Sequence, residues 1–267
     1  MKSIIKNGLG HMGFELHRKG ASMGGFQPFV EEVSLAGVTF AFWVGDVTAQ
    51  KWYNPAEHQS FSEHTETARL IRPGDRVLEI GSHHGFTAML LSKLVGNAGF
   101  VLAVEPSPFN AIMTSAQVTL NRARNCHVIQ AAASDRKGRT KISTQSNSRV
   151  TDSDHGIEVP TVRVDDLDAE FGPFDVLKVD VEGFEQHVLK GASALLSRLP
   201  RIMLELHSPY LSEFGSSIEG VLNMLSSRYR GSFVPRNARE QVYSYPAQCV
   251  PLDDVVNLFL QTDGPGE

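Results

Sequence analysis

The sequence predicts an α/β fold, a mainly parallel sheet with helices on both faces. From Arg76 onward, short apolar runs alternate with longer segments of helical period. The first run ends at Ile80 and leads straight into a glycine-bearing loop, Gly81-Ser82-His83-His84-Gly85. The second run ends at an acid, Glu105, followed by Pro106 and Pro108, which stop a strand. Crossovers between such parallel strands are right-handed.

The elements follow in order. Residues 1–20 carry Ile4, Ile5, Leu9, Met12, Phe14 and Leu16 among several glycines, an irregular or short helical opening. Residues 20–25 read as a loop. Residues 33–47 alternate and are rich in Val, Phe and Trp, giving one or two strands or a hairpin. A helix follows over 58–70, then a turn at Arg72-Pro73-Gly74-Asp75. Strands are expected at 77–80, 100–104, 127–132, 141–144, 159–164, 174–179 and 201–206, with 232–235 and 255–260 closing the sheet. Helices fall at 86–95, 108–122, 184–197 and 218–229. The polar stretch 145–156 reads as a loop or as a lid over a bound acceptor.

Composition narrows the function. Hydrophobic residues make up 41% and charged residues 21% of 267, an ordinary globular balance with room for a sizeable core. Net charge is −5 with no run of Lys or Arg, which argues against nucleic acid and for a small polar partner. Cys126 and Cys249 lack metal-ligand spacing and read as buried free thiols of a reducing compartment. No apolar stretch approaches the roughly 20 residues of a membrane span. The basic start lacks the apolar core of a secretory signal. A cytoplasmic protein without an integral membrane segment is therefore expected. Its N-terminal strands could pair between chains in a homodimer.

Ligands of open α/β sheets bind outside the carboxyl ends of the strands, where strand order reverses. Gly81 and Gly85 allow the turn there, and the helix behind them offers free N–H groups. Glu105, 26 residues after Glu79, can accept the hydroxyls of a ribose. A dinucleotide loop would read G-x-G-x-x-G, but His83 replaces its second glycine. Glu79 ahead of the loop suits a cationic ligand and disfavours a pyrophosphate. The reading is S-adenosylmethionine (SAM) rather than NAD. Alternatively, the two glycines merely close a turn and Glu105 caps the next helix.

The loop, Val104-Glu105-Pro106-Ser107-Pro108, and above all Leu177-Lys178-Val179-Asp180-Val181-Glu182-Gly183-Phe184-Glu185 with Val188-Leu189-Lys190-Gly191-Ala192 resemble the FkbM-type methyltransferases. Asn121 and Asn125, the run from Ala131 to Asp135, and Val164-Asp165-Asp166-Leu167 fall in the same order. The resemblance spans about residues 38–209. It implies the class I methyltransferase (Rossmann-like) fold: a seven-stranded, mostly parallel sheet with an antiparallel last strand, here behind an N-terminal extension. It also implies O-methylation of a small natural product, sugar or glycolipid-type acceptor. Where the family usually has D-x-G-A-N-x-G, this chain reads E-I-G-S-H-H-G, with His83 at the Asn position. The expected division is a 1–70 extension, a short helix and hairpin covering the acceptor side, and a 71–267 SAM-binding domain.

Site residues follow from these readings. Cofactor contacts are expected from Glu79, Gly81, Ser82, His83, Gly85, Glu105, Pro106, Ser107, Ala133 and Asp180. Oxygen methylation needs alignment and removal of a hydroxyl proton. Asp180 ends one central strand; Glu205 and His207, two apart, share a face at the end of the next. His207 is the preferred base, because an imidazole titrates near neutrality. Glu205 or Asp180 would orient it. No metal is assigned, although Asp180, Glu205 and His207 could hold one divalent cation. Glu182 and Glu185 either complement a helix dipole or act in the site. Lys178 either pairs with a buried acid or is functional. Asp165 and Asp166 read as N-cap residues. His58, His64, His83 and His84 line an acceptor pocket or are scattered surface residues. Of Phe40, Phe42, Trp43, Trp52 and Tyr53, most read as core and one or two as acceptor wall. The rival functions are an N-methyltransferase, a non-catalytic SAM-binding scaffold and an NAD oxidoreductase.

Overall fold

A computed structural model describes residues 26–251 and 253–262. The opening helix expected over 1–20 lies outside the described residues. The chain begins with a hairpin, β1 (Phe29–Leu35) and β2 (Val38–Val44), turned by Ala36 and Gly37, both at positive φ. Helices α1 (Val47–Trp52), α2 (Pro55–His58) and α3 (Ser62–Leu70) follow. The expected single helix over 58–70 is thus split, and α1 is additional. Asp46 starts α1 by accepting a hydrogen bond from the Ala49 N–H at 2.7 Å.

The alternating region is β3 (Arg76–Ile80), α4 (Phe86–Val95), β4 (Phe100–Glu105), α5 (Pro108–Leu120), β5 (Cys126–Gln130), β6 (Ala132–Ala133), β7 (Gly138–Ile142), β8 (Ile157–Val162), α6 (Val164–Phe171), β9 (Val176–Asp180), α7 (Glu185–Lys190), α8 (Ser193–Ser197), β10 (Arg201–His207), α9 (Ile218–Leu222), β11 (Tyr229–Pro235), β12 (Tyr243–Tyr245) and β13 (Val255–Thr262). The helix expected over 184–197 breaks at Gly191. The Ser134 carbonyl comes so close there that a Cβ would sit 2.2 Å from it. Asp165 does not cap its own helix. Its carboxylate accepts from the Ala194 and Leu195 N–H groups and caps α8 instead. Cys126 is buried as expected, whereas Cys249 is exposed; both are free.

The main sheet has the order β12-β11-β13-β10-β9-β3-β4-β5. Strands β10, β9, β3, β4 and β5 pair in parallel, and β13 inserts antiparallel between β10 and β11. The fold is the expected α/β class, seven strands with an antiparallel last one, plus the three-residue edge strand β12. Strands β6, β8 and β7 form a small separate sheet.

Period-two alternation divides the core. Leu78, Ile80, Leu102, Val104, Leu177, Val179, Leu204 and Leu206 pack with α6, α7 and α8 on one face. Val77, Val101, Ala103, Val176 and Met203 pack with the hairpin and α4 on the other. Glu79, Glu105, Lys178, Asp180, Glu205 and His207 share the parity of this second face. Polar side chains are thereby gathered at the carboxyl ends of four adjacent strands.

Candidate functional site

Strand order reverses beside β3, and a cavity opens at that end of the sheet. Its wall includes Gly81, His83, Glu105, Asn110, Ala133, Asp180, Glu182, Glu205, Arg236 and Arg239, with Trp52, Tyr53, His58, Glu63 and His64 above them. Of the expected cofactor residues, Gly81, His83, Glu105, Pro106, Ala133 and Asp180 reach the cavity. Glu79, Ser82, Gly85 and Ser107 are not on its wall.

The glycines have local causes. Gly81 has φ +86, and a Cβ there would lie 1.8 Å from the Asp180 carbonyl oxygen. Gly85 has φ +81, and its Cβ would meet Thr114 Cα at 2.9 Å. Both therefore let the loop press against neighbouring backbone. Gly81→Ala is expected to destabilise strongly. Backbone strain alone costs about 1–3 kcal/mol, and the clash adds to it. Thermal denaturation followed by circular dichroism checks this; a melting temperature equal to wild type would refute it.

His83 has φ +48. Asn and His both tolerate the left-handed region, which explains how His83 stands where the family usually has Asn. Its Nδ1 lies 2.5 Å from the Tyr53 hydroxyl and its Nε2 3.0 Å from Ser146 Oγ. The ring stacks on His84 at 4.2 Å, and His84 is fully buried. His83 thus ties the loop to α1 and to the 145–156 segment.

Glu105 closes the loop from β4. One of its oxygens accepts the His83 N–H at 2.8 Å, and the other accepts the Ser107 N–H at 3.0 Å. Burial pushes its carboxyl up to about 7 against these hydrogen bonds.

Two cross-strand pairs build the centre. Glu79 is opposite Lys178, and one step nearer the strand ends Asp180 is opposite Glu205. Lys178 Nζ lies 3.4 Å from Glu79 and 3.5 Å from Asp180. The ammonium therefore balances buried acids from inside the sheet. Burial, then the charge of Glu205, pushes Asp180 up to about 8. Glu205 lies 2.5 Å from Arg236. Although burial would raise it, His207 and Arg236 hold it down at about 2.

His207 stands behind this pair, fully buried and off the cavity wall. Its Nδ1 is 2.7 Å from Glu185, and its Nε2 is 3.5 Å from Glu182 and 3.9 Å from Asp180. Burial would lower its pKa, but Glu185 and the other carboxylates raise it to about 9. At neutral pH the ring is an imidazolium held by Glu185 at Nδ1, with Glu182 and Asp180 facing its Nε2. Glu182 does not cap α7: it has φ +54, lines the cavity and accepts from Asn147 at 2.8 Å. Sequence reasoning missed Asn110, two residues past the Val104–Pro108 motif, and Glu63, Arg236 and Arg239, which are remote from the motifs. The only available signal was the spacing of Arg236 and Arg239 just after an expected strand.

No curated protein matches this chain. Among solved structures, it is similar to a SAM-dependent methyltransferase from Aquifex aeolicus (14% identity, 80% of this chain and 96% of that one, TM-score 0.46). It is also similar to a precorrin-6y C5,15-methyltransferase from Geobacter metallireducens GS-15 (11%, 75% and 87%, TM-score 0.45). A third is an O-methyltransferase from Bacillus cereus in complex with SAH (11%, 74% and 77%, TM-score 0.41). The family described as Methyltransferase FkbM domain matches residues 79–257, most of the chain and both strand-end clusters. The chain belongs to that family and is a methyltransferase.

Proposed function

We propose that the chain is a SAM-dependent O-methyltransferase acting on a hydroxyl of a small natural product, sugar or glycolipid-type acceptor. The observation that carries this reading is the Asp180–Glu205 carboxylate pair on the cavity wall, facing the same space as Gly81, His83 and Glu105. The cavity residues fit a cationic nucleoside. Five carboxylates (Glu63, Glu105, Asp180, Glu182, Glu205) face it against two guanidinium groups. Glu105 retains lone pairs beyond those it uses and can accept from a ribose. Ala132, Ala133 and Ile142 supply an apolar wall for a base.

When bound, SAM supplies an electrophilic methyl group on a sulfonium. The chain must then orient the acceptor and take its hydroxyl proton. Asp180 is the better proton acceptor. Its side chain is 29% exposed, while that of His207 is 0% exposed and already protonated. A base with a pKa near the working pH is effective. Glu205, fixed by Arg236, keeps Asp180 basic. His207 anchors the carboxylates from below. Among the described residues, no helix is long and apolar enough to cross a membrane.

Binding a cation favours ionised acids. SAM affinity should therefore rise with pH through the values of Glu105 and Asp180, about 7 and about 8, and level off above them. The rise is expected to be up to about tenfold per pH unit for each proton released. Calorimetric titration in buffers of differing ionisation heat reads both affinity and proton release. Flat affinity with no proton release would refute this electrostatic reading; NAD binding without SAM binding would refute the cofactor assignment. Methyl transfer from labelled SAM to hydroxyl acceptors, with matched amine acceptors alongside, tests the reaction. Transfer to amines alone would replace O- with N-methylation.

A further inference from the structure

We propose that His58, Glu63 and His64 form a binding site for a divalent transition-metal ion, zinc in the first instance, on the cavity wall. Their ligand atoms lie within 4.8 Å of one another. None belongs to the strand-end cluster assigned above to proton transfer.

The tautomer of His58 follows from its neighbours. Its Nε2 is 2.6 Å from the Trp52 carbonyl oxygen, which can only accept, so Nε2 carries the proton. A neutral ring then presents a lone pair at Nδ1. That atom faces His64 Nε2 at 2.9 Å. A ligating histidine characteristically donates its other N–H to a carbonyl or carboxylate in this way. Glu63 is oriented too: one oxygen accepts from Asn257 Nδ2 at 3.1 Å, and the other lies 3.7 Å from His64 Nε2. Both histidines are buried, at 7% and 8% exposure.

Two imidazoles and one carboxylate suit Zn²⁺, Fe²⁺ or Co²⁺, whereas Ca²⁺ and Mg²⁺ favour oxygen donors. Three protein ligands leave a position for water or a substrate oxygen. Without metal, a shared N–H between the rings satisfies both nitrogens. Metal binding replaces that bridge once the proton on His64 Nε2 moves to its Nδ1 or to solvent, so that both facing nitrogens offer lone pairs to the ion. Arg239 lies 3.9 Å from the same Glu63 oxygen and over the Phe61 ring at 4.4 Å, so it would share that carboxylate with the ion. The strand-end cluster is the weaker candidate, because Glu205 is held by Arg236, His207 by Glu185 and Asp180 by Lys178.

The test is titration of chelator-treated full-length protein with Zn²⁺ against a chromophoric chelator, and with Co²⁺ followed by visible absorption. Wild type should bind one ion per chain. Asn257→Ala should weaken binding by about 10–100-fold, and His58→Ala or His64→Ala by more. Asp180→Asn should leave it within about twofold. X-ray absorption of the zinc-loaded wild type should show two imidazoles, a readout that does not depend on any variant folding. No binding by wild type, retention in both histidine variants, loss in Asp180→Asn, or fewer than two imidazoles would each overturn the proposal.

Discussion

Asp180→Asn is expected to lower methyl-transfer turnover by about 10²–10⁴-fold without lowering the melting temperature. The rate loss follows from removing a proton acceptor that is basic, open to the cavity and next to the cofactor loop at Gly81. The stability expectation follows from sign. Burial and Glu205 hold the folded Asp180 carboxyl near 8, above its unfolded value of about 3.9. Ionising it therefore favours the unfolded chain, and this penalty grows as pH rises between those two values. The Asn amide removes that penalty but leaves Lys178 with Glu79 alone, 3.4 Å away. His207→Gln provides the comparison. If His207 were the base, as an imidazole titrating near neutrality suggests in sequence alone, its loss would match that of Asp180→Asn. Acting instead as a buried cation, it should weaken turnover less and stability more. Single-turnover rates and melting curves of both variants separate the roles. Full activity in Asp180→Asn would sink the assignment.

The difference between those two roles marks how far the sequence could be read. Strand ends and parity are local properties, so Asp180, Glu205 and His207 were legible as a cluster. The β3–α4–β4 unit was legible for the same reason, whereas the antiparallel direction of the last strand followed only from the family resemblance. Protonation state depends on what covers a residue. Glu185 reads as one more acid in a helix first turn, where it complements the dipole. Only the packing of α7 against β10 reveals it as the fully buried partner of His207. Lys178 could be recognised as a partner of a buried acid, but register chose Glu79. Glu63, Arg236 and Arg239 come from segments far from the motifs, and no spacing rule links them to Asp180. The polar 145–156 stretch contributes Asn147, Ser148 and Val150 to the cavity wall.

The His207–Glu185 pair carries the second large effect. Glu185→Ala is expected to destabilise the fold by about 3–5 kcal/mol, because it leaves a buried imidazolium without its partner. For a chain of this size that is a fall in melting temperature of roughly 10 °C. Glu185 also accepts the Gly183 N–H at 3.0 Å, so its loss frees the turn that carries Glu182 as well. Replacing both partners, as Glu185→Met with His207→Leu, removes the orphaned charge and should cost less than the single change. The pH dependence gives an independent check. The folded pKa of His207 is raised to about 9, above its unfolded value of about 6.5. Its contribution is therefore complete below about 6.5 and is lost as pH climbs through about 9. Wild type should lose this stability across that window, and the double variant should not. A single variant no worse than the double, or parallel pH profiles, would mean that the pair does not hold the strand-end carboxylates in place.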